Sequence, residues 1–235
     1  MCSLSWYHHP GGYEVFFNRD EKKTRGRATP PALHDKEGIR YLSPRDADAG
    51  GTWLLANEHS VTLALLNYWH STAAERTATL SRGVLLRELA SQKSAESASQ
   101  QVRAMSLADY GSFTLAAFDL SQDAGPQVLR WDGRSLNSLP TAMPLCSSSF
   151  LPEAVIASRQ QSFQALPNHL PDTLWRWHRE AAAPSAYTVR MNRPDAQTWC
   201  ISRVSVTIDS IRWCYIEELP DLQGCPEVHE AILTP

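Results

Sequence analysis

The sequence lacks the features that mark a membrane-spanning or a nucleic-acid-binding protein. No apolar run approaches the roughly 20 residues that a transmembrane helix needs, and the longest candidates, Val61–Leu66 and Phe113–Leu120, have the length of strands. Lys and Arg number 22 against 25 Asp and Glu, and these charges are spread along the chain. We therefore expect neither a membrane span nor a nucleic acid partner, because binding to phosphates needs clustered positive charge.

Cysteine, histidine and glycine patterns exclude further classes. The five cysteines form no C-x-x-C pair, and their odd number does not suit a disulfide framework. No His/Asp/Glu spacing resembles a metal site, and Gly11-Gly12 and Gly50-Gly51 do not form a phosphate-binding fingerprint. The first ten residues lack the basic and apolar regions of a secretory signal. We therefore expect a cytoplasmic protein without a metal or cofactor.

The composition is that of a folded globular protein. Hydrophobic residues make up 43% of the 235 residues and charged residues 20%, which allows a substantial core. Neither a repeat nor a low-complexity linker interrupts the chain, and its length fits one large domain. The prediction is a single domain over residues 1–235.

Periodicity predicts strands, then helices, then strands. Aromatic and apolar runs at Ser3–His8 and Tyr13–Asn18, separated by a Pro-Gly-Gly turn, predict a β-hairpin. The segment Arg19–Pro31 is predicted to be a loop, because its prolines are unsuited to regular structure. Further strands are predicted at Gly38–Leu42, Thr52–Ala56, Ser60–Trp69, Ser112–Leu120, Gln127–Trp131, Tyr187–Met191, Thr198–Ile208 and Ile211–Glu217, and helices at Ser81–Ala90, Ala95–Met105, Leu151–Leu166 and Asp172–Ala182. Without strict β-α alternation, this order indicates an α+β fold of two antiparallel sheets flanked by helices.

Cys2 is the first candidate for chemistry. Removal of Met1, which is favoured when the next side chain is small, makes Cys2 the N-terminal residue. Its α-amine can then accept the proton of its own thiol. Reference pKa values of about 7.7–8.0 for the amine and about 8.5 for the thiol make this transfer inexpensive. The alternative is an ordinary small residue at a chain start. The other four cysteines are predicted to be inert: Cys146, Cys200, Cys214 and Cys225.

Arg19 and Asp20 follow the second strand of the predicted hairpin. Because the hairpin returns the chain to its own start, both side chains are expected near Cys2. A guanidinium there lowers the pKa of the thiol, and a carboxylate can orient the ammonium. The alternative is a solvated charge run, which is our interpretation of residues 21–23.

Asn67 lies at the end of the most apolar predicted strand. A neutral amide in this position can donate a hydrogen bond to a developing oxyanion. The alternative is an asparagine that satisfies the backbone of a neighbouring loop.

Several short motifs occur in order over roughly the first 90 residues: Cys2, Phe17-Asn18-Arg19-Asp20-Glu21, Ala49-Gly50-Gly51-Thr52-Trp53, Leu66-Asn67-Tyr68 and Ser81-Arg82-Gly83. Together they resemble the NRDE family, which is named after the Asn-Arg-Asp-Glu run and includes the transport and Golgi organization protein 2 proteins. More distantly, Cys2, the Arg-Asp pair and the Asn beside an aromatic residue are similar to choloylglycine hydrolases and penicillin V acylases.

This resemblance implies a four-layer αββα sandwich of the N-terminal nucleophile hydrolase kind, acting on a non-peptide C–N bond of a small molecule. It implies Cys2 as nucleophile and, through its freed amine, as base. Arg19 and Asp20 would support the thiolate and the ammonium, and Asn67 would donate to the oxyanion. Further residues are expected to contribute to binding: Asn18, Trp53, Tyr68 and Arg82.

Two positions of the hydrolase pattern have no single match in this chain. For a second active-site asparagine the sequence offers Asn137 or the serines of Cys146-Ser147-Ser148-Ser149, and for a late arginine it offers Arg190 or Arg193. An alternative function also follows from the resemblance, since eukaryotic members are linked to Golgi organisation and to haem or lipid metabolites. In that case the chain would be a non-catalytic carrier or trafficking factor, with haem as a possible ligand.

Overall fold

A computed structural model describes residues 2–69, 78–121, 125–217 and 227–235. Cys225 lies outside these ranges. The described strands are β1 Cys2–His9, β2 Gly12–Lys22, β3 Thr29–Lys36, β4 Ile39–Arg45, β5 Leu54–Asn57, β6 Val61–Asn67, β7 Phe113–Phe118, β8 Gln127–Trp131, β9 Leu136–Leu139, β10 Leu145–Ser147, β11 Ala196–Thr207, β12 Ile211–Glu217 and β13 Glu227–Leu233. The described helices are α1 Arg82–Glu88, α2 Ala95–Ala104, α3 Pro152–Gln164 and α4 Pro171–Arg179.

The strands form two sheets in which neighbours run antiparallel. The first sheet has the order β10-β1-β2-β11-β12-β13. The second sheet has the order β3-β4-β5-β6-β7-β8-β9, which is the order of these strands along the chain. The predicted hairpin is confirmed as β1 and β2, whose register pairs Cys2 with Arg19 and His9 with Gly12. The hairpin therefore lies near the middle of the first sheet, where both of its faces are covered.

Side chains that point alternately to the two faces of each strand form three separate apolar layers. The layer between the sheets contains Leu4, Val15, Phe17, Leu54, Ala64 and Phe118. The opposite face of the second sheet packs against α1 and α2, through residues that include Leu63, Leu115, Leu85 and Val102. The opposite face of the first sheet packs against α3 and α4, through residues that include Phe16, Phe163 and Leu174. These layers confirm the αββα sandwich, because each sheet has one face on its partner and one on helices.

Two predicted segments differ from the structure. Thr29, Pro30 and Pro31 belong to β3 rather than to a loop, and β2 continues to Lys22. Strand β3 is the edge of the second sheet, and its register with β4 shifts between Thr29 and Ala32, so the prolines do not interrupt a central ladder. Tyr187–Met191 was predicted to be a strand but is irregular, because Asn18 and Thr198 side chains bind its backbone in place of a neighbouring strand.

Within the described ranges, no helix is both long enough and apolar enough to cross a bilayer.

Candidate active site

Cys2 lies between two strands and opens onto a cleft. It is paired with Arg19 on β2 and with Ser147 on β10, so these three side chains share the face of the first sheet that looks towards the second. The cleft has a volume of about 320 Å³ and is lined by Cys2 and Arg19 together with Trp53, Asn67 and Arg82. Asp20 borders it as well, so six of the eight residues proposed from the sequence for catalysis or binding meet at one cavity.

One wall of the cleft depends on two glycines in contact. The amide of Thr52 donates to the carbonyl of Gly83 at 3.1 Å, and a Cβ atom on Gly51 would lie only 2.6 Å from the carbonyl carbon of Gly83. Helix α1 begins here, with Ser81 accepting a hydrogen bond from the Gly83 amide. The Gly50-Gly51 and Ser81-Arg82-Gly83 motifs thus bring the chain before β5 and the start of α1 together.

Arg19 is held in place by an aromatic ring and by carboxylates. Its guanidinium carbon lies 4.4 Å from the centre of the Trp53 ring, and its Nη2 forms an ion pair with Asp46 and lies 3.6 Å from Glu21 Oε2. Burial acts to raise the pKa of Asp46, but hydrogen bonds from Arg25 and the Ala49 amide, with the charges of Arg25 and Arg19, hold it below its usual value. Arg19 therefore faces an ionised carboxylate, which offsets much of its charge.

The Cys2 thiol is protonated at neutral pH. Its burial raises the pKa from 9.0 to about 11, and the charge of Asp20 acts in the same direction. The terminal ammonium, the charge of Arg19 and a hydrogen bond from the Asp20 backbone lower the pKa but do not overcome burial. A reactive thiolate at this position therefore needs a base or additional donors.

The Asp20 carboxylate lies in the polar layer beneath the cleft. It is fully buried, accepting from Arg159 Nη2 at 3.0 Å and from Thr198 Oγ1 at 2.7 Å. Arg159, on α3, also donates from Nη1 to Ser3 Oγ at 2.8 Å. Asp20 borders the cleft, but its charge is compensated from the helix side. Arg159 was not identified from the sequence, because an arginine in an amphipathic helix is normally a surface residue.

Asn18 is not among the residues that line the cleft. It lies on the opposite face of β2, where its amide donates to the carbonyls of His178 and Val189 at 2.9 and 3.1 Å. Its Oδ1 accepts from His178 Nδ1 at 2.6 Å, and His178 Nε2 accepts from Ser5 Oγ at 2.8 Å. Burial and the charge of Arg159 lower the pKa of His178 to about 3, so the ring is neutral and carries its proton on Nδ1.

The remaining predicted residues lie around β6. Asn67 ends this strand and borders both the cleft and its continuation, a groove of about 400 Å³. Arg82 borders both cavities as well, donates to the Ser112 carbonyl at 3.0 Å and stacks on Trp69. Tyr68 is not part of the cleft lining, and its ring packs against the Arg130 guanidinium at 4.2 Å.

The structure also separates the alternatives for the two unmatched positions. Asn137 lies exposed on β9 and bonds to Ser135, away from the cleft, whereas Ser147 is directly opposite Cys2. Ser149 and Arg193 border the groove that continues the cleft. Arg190 borders neither cavity.

One group of potential metal ligands occurs in the described residues, on β12 and β13. Ligand atoms of Glu217, Glu227 and His229 lie within 4.8 Å of one another. Arg27 binds both carboxylates, with Nε 2.6 Å from Glu217 and Nη2 2.7 Å from Glu227. A guanidinium therefore occupies the position that a cation would take.

This fold is that of the N-terminal nucleophile hydrolases. The Caenorhabditis elegans ortholog of N-acylethanolamine-hydrolyzing acid amidase aligns with a TM-score of 0.60 at 10% identity, covering 86% of this chain and 92% of its own. A variant of conjugated bile acid hydrolase from Clostridium perfringens gives 0.59 at 10% identity, covering 100% and 96%. A mutant of that hydrolase gives 0.55 at 12% identity, covering 98% and 92%. At these identities the likeness concerns the fold alone.

The chain belongs to the Transport and Golgi organisation 2 family, whose model matches residues 1–182. No curated protein gives a significant sequence match.

Proposed function

We propose that this protein is an amidohydrolase that uses an N-terminal cysteine to cleave a non-peptide C–N bond of a small molecule. The observation that carries the proposal is the position of Cys2, at a cleft whose lining includes Arg19 and Asn67. The names of the structural neighbours, an amidase and a bile acid hydrolase, are consistent with this chemistry. A reduced Cys2 is required, which suits a cytoplasmic location.

In the proposed reaction, removal of Met1 frees the α-amine of Cys2. The amine takes the proton from the thiol, the sulfur attacks the carbonyl carbon, and the C–N bond breaks as the proton passes to the leaving amine. Water then attacks the thioester, releasing the acid and restoring the thiol. The raised pKa of the buried thiol opposes this first transfer, so the thiolate needs stabilisation from the cleft.

The other cleft residues have supporting roles in this proposal. Asn67 donates to the oxyanion of the tetrahedral intermediate, a contact that contributes about 2.7–4 kcal/mol in other enzymes. Arg19 lowers the pKa of the Cys2 thiol, and Asp46 and Trp53 fix the position of its guanidinium. Asp20 orients the strand end on which the ammonium forms, from within the buried layer.

The requirement for a free α-amine on Cys2 is the part of the mechanism that can be tested most directly. A chain made with a short N-terminal extension should show no hydrolysis of a panel of N-acyl amides, and proteolytic removal of the extension up to Cys2 should restore it. Intact mass measurement reports the state of residue 1 in each sample. Full activity with the extension in place, or with Met1 retained, would exclude the amine as base.

The alternative proposal is a non-catalytic carrier. It is favoured by the raised pKa of Cys2, because a protonated thiol beside a neutralised Arg19 is a poor nucleophile. Membership of the Transport and Golgi organisation 2 family is also compatible with it.

Haem fits the cleft poorly as the carried ligand. The cleft lining given by the described residues contains no histidine or methionine, so the axial ligand would have to be Cys2. Its raised pKa opposes the thiolate that such a bond needs. We therefore expect no saturable absorbance change when haem is titrated into micromolar protein. A saturable change that is lost in Cys2→Ala would favour the carrier.

A further inference from the structure

Ser147 is the neighbour of Cys2 on the side away from Arg19. The antiparallel register of β1 and β10 pairs Cys2 with Ser147, Ser3 with Cys146 and Leu4 with Leu145. Directly opposed residues on antiparallel strands point to the same face, with Cβ atoms about 4.5–5.5 Å apart. Ser147 and Cys2 therefore face the space between the sheets together, whereas Cys146 turns to the helix side, where its sulfur lies 3.6 Å from Ser3 Oγ.

The Ser147 hydroxyl has no hydrogen-bond partner in the described part of the chain. The residue is 6% exposed, and its Oγ is buried. The hydroxyl of the next residue, Ser148, by contrast, donates to the Phe150 carbonyl and accepts from the Phe150 amide. An unpaired hydroxyl in a buried position is destabilising relative to alanine. Its place beside Cys2 suggests a partner that forms during the reaction.

The register places the Cys2 sulfur and this hydroxyl on neighbouring, directly opposed residues. Serine and cysteine each have one side-chain torsion with staggered positions, and rotation about these bonds spans the Cβ separation of an opposed pair. Strand β10 also packs against β6, which ends in Asn67. Two donors thus approach the same region from different strands, Ser147 at the sulfur and Asn67 at the open side of the cleft.

We propose that Ser147 is a positioning residue that donates its hydroxyl hydrogen to the Cys2 sulfur as the thiolate forms. This assignment rests on the proposed function, since it requires Cys2 to react as a thiolate. The donor stabilises the charged sulfur where Arg19, bound to Asp46, does so only in part. It also opposes the effect of burial on the pKa of the thiol.

The test measures the reactivity of the Cys2 sulfur, which does not need a known substrate. The rate of alkylation by iodoacetamide is followed at Cys2 by peptide mass spectrometry between pH 6 and pH 11, in protein from which Met1 is absent. In Ser147→Ala the rate at each pH below the midpoint should fall about tenfold, which corresponds to a rise of about one pH unit in the midpoint, because hydrogen bonds to a charged group are strong.

The matched control is Ser202→Ala. Ser202 is also buried on the first sheet with an unpaired hydroxyl, but it pairs with Phe17 and Tyr215 rather than with Cys2. Its profile should match the wild type. A second comparison uses Ser147→Thr and Ser147→Val, which have nearly the same shape and differ in the hydroxyl. The threonine variant should keep the wild-type midpoint, and the valine variant should not.

The outcomes separate this assignment from the function on which it rests. A reactive wild-type Cys2 whose midpoint is unchanged by Ser147→Ala, or equal in the Thr and Val variants, overturns the role of Ser147 and leaves the amidohydrolase proposal standing. The role of Ser147 is also overturned if Cys2 reacts no faster in the wild-type protein than in Ser147→Val at every pH. If Cys2 does not react in the folded wild-type protein, both proposals fail.

Discussion

Replacing Cys2 with alanine is expected to abolish amide hydrolysis, with a loss in kcat of about 10⁴-fold or more. The proposed mechanism places both the attacking sulfur and the base on this one residue, and removal of a nucleophile causes losses of this order in other hydrolases. The measurement is turnover of an N-acyl amide identified by screening the wild-type protein. Cys2→Ser should retain a trace of activity, since the free amine remains and only the nucleophile is weakened.

Cys214→Ala is the control for this experiment. Cys214 lies on β12, is half-buried and borders neither the cleft nor its continuation. Its replacement should leave turnover within about twofold of the wild type. Turnover that survives in Cys2→Ala would show that the sulfur is not the nucleophile, and the carrier proposal would then be preferred.

Replacing Arg159 with methionine should lower the free energy of unfolding by about 3–5 kcal/mol. Arg159 and Asp20 form an ion pair in which both side chains are fully buried, and removal of one partner leaves an uncompensated charge. Ser3 also loses its donor. Urea unfolding followed by circular dichroism measures the change. The double variant Arg159→Met with Asp20→Asn should recover part of the loss, because no buried charge is then left unpaired.

Arg40→Met provides the matched surface comparison. The Arg40 side chain is 48% exposed in its ion pair with Glu58, and exposed pairs contribute at most about 1 kcal/mol. If Arg159→Met were no more destabilising than Arg40→Met, the buried pair would not be what holds α3 against β1 and β2.

The sequence was sufficient to predict the layers and the approach of Arg19 to Cys2. Two aromatic runs around a Pro-Gly-Gly turn define a hairpin, and a hairpin that starts at Cys2 must bring residues near position 19 back to it. The two segments whose secondary structure was predicted wrongly have a common cause. Pro30 and Pro31 are compatible with a strand at the sheet edge, and Tyr187–Met191 is ordered by side chains from other strands, neither of which local pattern reveals.

The residue types of the candidate site were predictable from the sequence, but the face of the strand on which each side chain lies was not. Asn18, Arg19 and Asp20 are consecutive, so alternation sends Arg19 to the cleft and the other two side chains to the helix layer. The motif alone does not show which of the alternating positions along the strand faces the cleft. Arg159 and Ser147 depend on contacts across more than 130 positions of the chain, and no local signal distinguishes them from a surface arginine and a loop serine.

The pairing of β1 with β2 has a consequence for how an active molecule is made. A slip of one residue in this pairing exchanges the two faces of β1. Ser3 would then enter the cleft, and the Cys2 thiol would be directed at the guanidinium of Arg159. Such a molecule would lose its nucleophile and the hydrogen bond from Arg159 to Ser3 in the same event. Misfolded chains with a displaced thiol are thus also unstable ones, so quality control that removes unstable protein removes the inactive form as well.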